Sequence, residues 1–181
     1  MDISKLRREL DLLDKLDWDS TEYREKYYDP NRKVPDEDLY ETIKNSFGDV
    51  QTPSQLPEKS NRTTFEHEFL QGIEGPIIHK LLNFYKSPHI HLRGVYYYPP
   101  GAVCGWHTNS DFPGKRLYIT WAEEDNKSFF RYFDEETKQI ITKYDKKGWH
   151  INEFTVPRNG KLWHYIGSPE SRRKSVGFFI S

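Results

Sequence analysis

Residues 89–109 read HIHLRGVYYYPPGAVCGWHTN. A β-prone run over 89–98 ends at Pro99, Pro100 and Gly101, and a second run follows over 102–107. Aromatic and β-branched side chains suit a pleated surface, and a Pro-Pro-Gly sequence stops one strand and turns the chain toward the next. The same grammar continues downstream. Runs over 116–122, 127–133, 139–144, 149–156, 161–166 and 175–180 alternate with turn residues at 111–114, 134–137, 145–148 and 157–160. Eight short strands at near-regular spacing predict a sandwich or barrel.

Upstream of residue 89 the pattern is helical. Ile3, Leu6, Leu10 and Leu13 recur at helical spacing with charges between them, predicting an amphipathic helix of about four turns that packs on the domain. A second helix is predicted over 36–47, with Asp36, Glu37 and Asp38 in its first turn and Gly48 as a stop. Residues 49–63, rich in Pro, Ser and Asn, read as a loop. A third helix is predicted over 76–86, opening on Pro76. The fold class expected is mainly β with N-terminal helices: a jelly roll (a double-stranded, cupin-like β-helix) buttressed on one face. Residues 1–88 form the helical region and 89–181 the jelly-roll core of one domain.

The 181 residues suffice for a single core. With 27 basic and 28 acidic residues, no excess charge points to nucleic acid or an anionic membrane. A single cysteine, Cys104, forms no internal disulfide and belongs to no zinc-binding cluster. The N-terminal MDISKLRREL lacks an apolar signal core, and no apolar run approaches about 18 residues. The expectation is a soluble, cytoplasmic protein.

Of seven histidines, His107 and His164 stand out by position. His107 ends a predicted strand before a polar loop, and His164 lies in a late strand. Strand ends at a barrel mouth are where ligands converge on an ion, and iron(II) oxygenases need two imidazoles and usually one carboxylate. His67, His79, His89, His91 and His150 read as structural or solvated. His89 and His91 share a strand face but lack a third partner.

Tyr98-Pro99-Pro100-Gly101, His107-Thr108-Asn109, His164 and Arg173-Lys174-Ser175 follow one another in an order that resembles the iron(II)/2-oxoglutarate-dependent oxygenase superfamily, in its prolyl-hydroxylase-like branch. The resemblance covers 96–180, about half the chain. It implies Fe(II) held by His107 and His164, 2-oxoglutarate as cosubstrate with O2, and a small-molecule or peptide substrate. It also implies that Arg173 and Ser175 grip the far carboxylate of 2-oxoglutarate. A guanidinium fork suits that task, and residues two apart on a strand share a face. Tyr98 would hydrogen-bond the same carboxylate, although Tyr97 fits one spacing equally well. Trp121 and Trp163 are candidate walls of the substrate pocket.

One position departs from the resemblance: Asn109 stands where the superfamily usually has Asp or Glu. Three readings follow. Asn109 binds through its amide oxygen or stands aside for water; the position takes a halide, as in halogenases; or the site no longer catalyses. Asp111, two residues on, is a weaker alternative ligand. Outside the oxygenase reading stand a non-catalytic jelly-roll binding module and, lacking an evident third ligand, a zinc hydrolase.

Overall fold

The computed structural model describes residues 1–25, 41, 60–110, 112–158 and 161–181. Its nine strands are β1 (Thr63–Phe65), β2 (Ile90–Tyr98), β3 (Ala102–His107), β4 (Gly114–Ala122), β5 (Phe129–Asp134), β6 (Gln139–Tyr144), β7 (Gly148–Val156), β8 (His164–Ser168) and β9 (Arg173–Ile180). All eight runs expected after residue 89 are strands, with ends displaced by a few residues at most. β1 is additional: it lies where the end of a loop was expected, and three residues are too few to show a periodicity.

The strands form two antiparallel sheets, ordered β1-β2-β9-β4-β7 and β3-β8-β5-β6. From β2 onward each connection crosses from one sheet to the other, except the β5–β6 hairpin, which stays in place. That winding is a double-stranded β-helix, the jelly roll expected from the sequence.

Two helices pack on the five-stranded sheet. A 3₁₀ turn at Ile3–Leu6 runs into α1 (Arg7–Asp14), and α2 spans Glu74–Tyr85. Pro76 sits in the first turn of α2, where its missing N–H costs nothing. The expected helix over 36–47 falls outside the described residues, apart from Glu41. Leu6, Leu10 and Leu13 of the N-terminal stripe join Ile77 and Leu81 of α2 against Val95, Leu117, Ile119, Val176 and Phe178. This is the main apolar core, and it lies between sheet and helices, outside the barrel. No helix among the described residues is long and apolar enough to cross a membrane.

Strand alternation divides the five-stranded sheet. In β9, Val176, Phe178 and Ile180 belong to the helix-side core. Arg173, Ser175 and Gly177 therefore point into the barrel. In β2, Val95 and Tyr97 face the helices, whereas Tyr96 and Tyr98 join Ala102, Cys104, Ile166 and Phe130 inside. Tyr118 lies across Gly177 of the neighbouring strand, so a Cβ there would stand 2.5 Å from its ring. Gly177→Ala is expected to lower stability by about 1–3 kcal/mol, measured by urea unfolding, because a packed interior has no room for the added methyl.

Candidate metal centre in the barrel interior

His107 reaches the interior through an irregularity in β3. Cys104 pairs with Ile166 and His107 with His164, so three residues of β3 are spanned by two of β8. The extra residue is a β-bulge, and Gly105 lies within it. Strict alternation after Ala102 and Cys104 would send Trp106 inward and His107 outward. Instead Trp106 packs outside with Trp163, Phe133 and Tyr165, and His107 turns in.

The two imidazoles meet there with ring centroids 4.0 Å apart and planes inclined by 53°. Both are buried, His107 at 4% and His164 at 1% exposure. Each fixes its tautomer in the same way. His107 Nδ1–H donates to Gly105 O at 2.7 Å, and His164 Nδ1–H donates to Leu162 O at 2.8 Å. The lone pair of each ring is thereby on Nε2, which leaves that nitrogen able to bind a metal. Burial, together with the neighbouring His107, pushes the His164 imidazole well below the ordinary histidine range, which keeps its lone pair available. Phe130 and Phe154 flank the ring at 5.5 and 5.3 Å.

Asn109 completes the group. It adopts a left-handed backbone (φ 52°), which asparagine tolerates better than most residues, and this bends the chain back after β3. Its amide stands 3.2 Å from His164 Nε2. Because Nδ1 of that ring is committed as a donor, Nε2 accepts and the amide N–H of Asn109 donates. Rotation of the same amide presents its oxygen at the same place. His107, Asn109 and His164 thus offer two imidazole nitrogens and a neutral oxygen, a donor set that fits a divalent transition metal. Among the described residues, no three His, Cys, Asp or Glu side chains gather as a metal cluster. Asp111, the alternative ligand, falls outside the described residues.

Arg173 also points inward and is only 3% exposed, but it is not alone. Its Nε donates to Asp145 Oδ2 at 2.8 Å, and its Nη2 reaches Thr120 Oγ1 at 3.5 Å. Asp145 further accepts from Ser128 Oγ at 2.7 Å, His150 Nε2 at 2.9 Å and Asn152 Nδ2 at 3.4 Å. Burial alone would raise this carboxyl. The Arg173 charge and the hydrogen bonds outweigh it and hold the group well below the usual carboxylate range. Neighbouring Arg172 lies outside, bound to Glu123. Ser175 Oγ is buried and finds no hydrogen-bond partner among the described residues.

Alternation separates Tyr97 from Tyr98: Tyr98 is inside and Tyr97 is on the helix side. The two tryptophans expected at the pocket are elsewhere. Trp121 sits beneath Lys174, whose Nζ is 4.5 Å from the ring, on the face turned toward the helices. Trp163 belongs to the outer cluster with Trp106. Both err by one strand position, the step that reverses a side chain's face. The interior is walled instead by Tyr96, Tyr98, Tyr118, Phe130 and Phe154.

Two interior residues gave no signal in the sequence. Asp145 begins what reads as an ordinary turn, Asp145-Lys146-Lys147-Gly148. Arg62 lies at the end of the segment read as a loop, yet it is buried beside Tyr96 and Tyr98. A charged residue in a turn or loop is normally solvated, and only the fold shows otherwise.

Asp145→Asn is expected to cost about 3–5 kcal/mol in urea unfolding, because it leaves the Arg173 charge buried without its partner. The folded-state pKa of Asp145 is depressed. Its contribution is thus fully present above the unfolded value of about 4 and is lost as pH falls toward the folded value. The variant should lose that part of the wild type's acid sensitivity.

No family model and no curated protein matches the chain. Among solved structures, it is similar to a prolyl-4-hydroxylase of Pseudomonas putida (14% identity, 74% of this chain and 77% of that one, TM-score 0.49). It is also similar to an oxidoreductase of the 2OG-Fe(II) oxygenase family from Burkholderia pseudomallei (10% identity, 66% and 61%, TM-score 0.48). A third is a cupin-like protein of Thermotoga maritima (20% identity, 50% and 65%, TM-score 0.29).

Proposed function

We propose that this chain is an oxygenase that uses Fe(II) and 2-oxoglutarate and acts on a small-molecule or peptide substrate. The observation that carries the reading is the meeting of His107 and His164 inside the barrel, with both Nδ1 atoms committed to main-chain carbonyls. A pair of histidines that merely fills space needs no such common tautomer. Here two lone pairs are held in a buried, aromatic-walled site.

His107 and His164 would hold the metal through Nε2, and Asn109 through its amide oxygen. Fe(II) with 2-oxoglutarate and O2 supplies the oxidising power for attack on an unactivated C–H bond. The chain's own part is to bind, orient and keep dry. The Gly105 and Leu162 carbonyls fix the two rings. Asn109 leaves the metal charge less neutralised than a carboxylate would. Phe130 and Phe154 exclude water beside His164, and Ser175 offers a hydroxyl with no competing partner among the described residues.

Anaerobic addition of Fe(II) and then 2-oxoglutarate should give a weak visible charge-transfer band, and admission of air should release succinate. His107→Ala and His164→Ala should lose both signals. Protein that takes up neither metal nor 2-oxoglutarate would instead be a binding module on the same fold. Asn109→Asp is expected to be tolerated, since aspartate also accepts a left-handed backbone, and to tighten Fe(II) binding by roughly tenfold. If iron binds more tightly in that variant while turnover collapses, the neutral side chain is needed, as a halide-accepting centre would require.

A further inference from the structure

Arg62 is a buried cation that forms no ion pair among the described residues. The segment carrying it spans the seam between the two sheets. Ser60 forms an isolated bridge with Cys104, and Asn61 exchanges hydrogen bonds with Val103 in β3: its N–H donates to Val103 O at 3.2 Å, and its Oδ1 accepts from Val103 N–H at 2.7 Å. Immediately afterwards, Thr63–Phe65 pairs with β2 of the other sheet. Arg62 falls at the crossing, and its side chain enters the interior, 8% exposed. Its guanidinium lies 3.8 Å from the centroid of Tyr96, and Nη1 donates to Tyr98 OH at 3.0 Å.

None of these neighbours carries the opposite charge. Tyr98 and Tyr96 are phenols whose titration burial pushes upward, Tyr98 to about 12, so neither supplies a negative charge. Glu25 senses Arg62 electrostatically, but no carboxylate forms an ion pair with Arg62 among the described residues. Arg62 Nε finds no hydrogen-bond partner among the described residues. Ser175 Oγ is likewise unpaired among the described residues, and Ser175 is the direct strand partner of Tyr96, the residue on which Arg62 stacks. A buried guanidinium without an anion is costly, and a ligand carboxylate removes the cost. Arg173 differs, because Asp145 already neutralises it.

We infer that Arg62, with the Tyr98 hydroxyl and Ser175, forms the subsite for the far carboxylate of 2-oxoglutarate, and that Arg173 with Asp145 is a structural pair. This rests on the oxygenase reading. Cys104 links the subsite to the centre: it pairs with Ser60, and its sulfur is 3.7 Å from His107 Nδ1.

The test compares 2-oxoglutarate with pyruvate, which keeps the keto-acid head and lacks the far carboxylate. Both are titrated into Mn(II)-loaded protein by calorimetry. Arg62→Gln should weaken 2-oxoglutarate roughly 10- to 100-fold and leave pyruvate unchanged. Arg62→Lys, which keeps charge but not the fork, should show a smaller loss; it decides the matter should Arg62→Gln fail to fold and bind neither acid. The Asp145→Asn/Arg173→Gln double variant should keep the wild-type preference. Wild-type affinity for 2-oxoglutarate in both Arg62 variants, or a preference lost in the double variant alone, would overturn the subsite and leave the oxygenase reading standing. A wild type that ignores 2-oxoglutarate would sink both.

Discussion

One residue more in β3 than in β8, in the stretch between Cys104 and His107, turns His107 into the barrel. Without that bulge, two imidazoles on adjacent strands would lie on opposite faces of one sheet. The bulge also frees the Gly105 carbonyl from regular pairing, and that carbonyl takes the Nδ1 proton of His107. A single local insertion therefore sets direction, tautomer and hydrogen-bond partner of one imidazole at once. His164 reaches the same tautomer through Leu162, likewise two residues upstream.

This arrangement depends on a division of labour between the two faces of the five-stranded sheet. The apolar residues that stabilise the domain lie between that sheet and α1 and α2. The barrel interior, by contrast, holds guanidinium, imidazole, carboxylate and hydroxyl groups among aromatic rings. Such an interior contributes little hydrophobic stabilisation and tolerates polar groups only when they are satisfied. The N-terminal helices supply the missing apolar burial. The Asp145 network satisfies one end of the interior, whereas Arg62 Nε and Ser175 Oγ find no partner among the described residues.

The fold was largely legible because its signals are local. Turn residues punctuate the strands, and the leucine stripe marks the first helix. His107, His164, Tyr98, Arg173 and Ser175, singled out by order and spacing, all face the interior, where Arg173 is held by Asp145. What spacing could not convey was face. Trp121 and Trp163 were expected inside and lie outside, because alternation reverses with each residue. Asp145 and Arg62 were invisible for a different reason. A charge beside a turn looks solvated in any sequence, and only the crossing of sheets at Ser60–Thr63 and the closure at Asp145 bury them. The Arg173–Asp145 pair joins residues from β9 and the β6–β7 turn, a contact that no local pattern encodes.

The oxygenase reading requires His107 and His164 to share one ion through their Nε2 atoms. X-ray absorption of the Fe(II)-loaded protein reads this directly, because imidazole rings leave a multiple-scattering signature at the metal. Two imidazoles per iron are expected, with oxygen donors completing the shell, and one imidazole should remain in His164→Ala. A spectrum without imidazole scattering, or one unchanged by loss of His164, would show that the two rings do not hold a common ion.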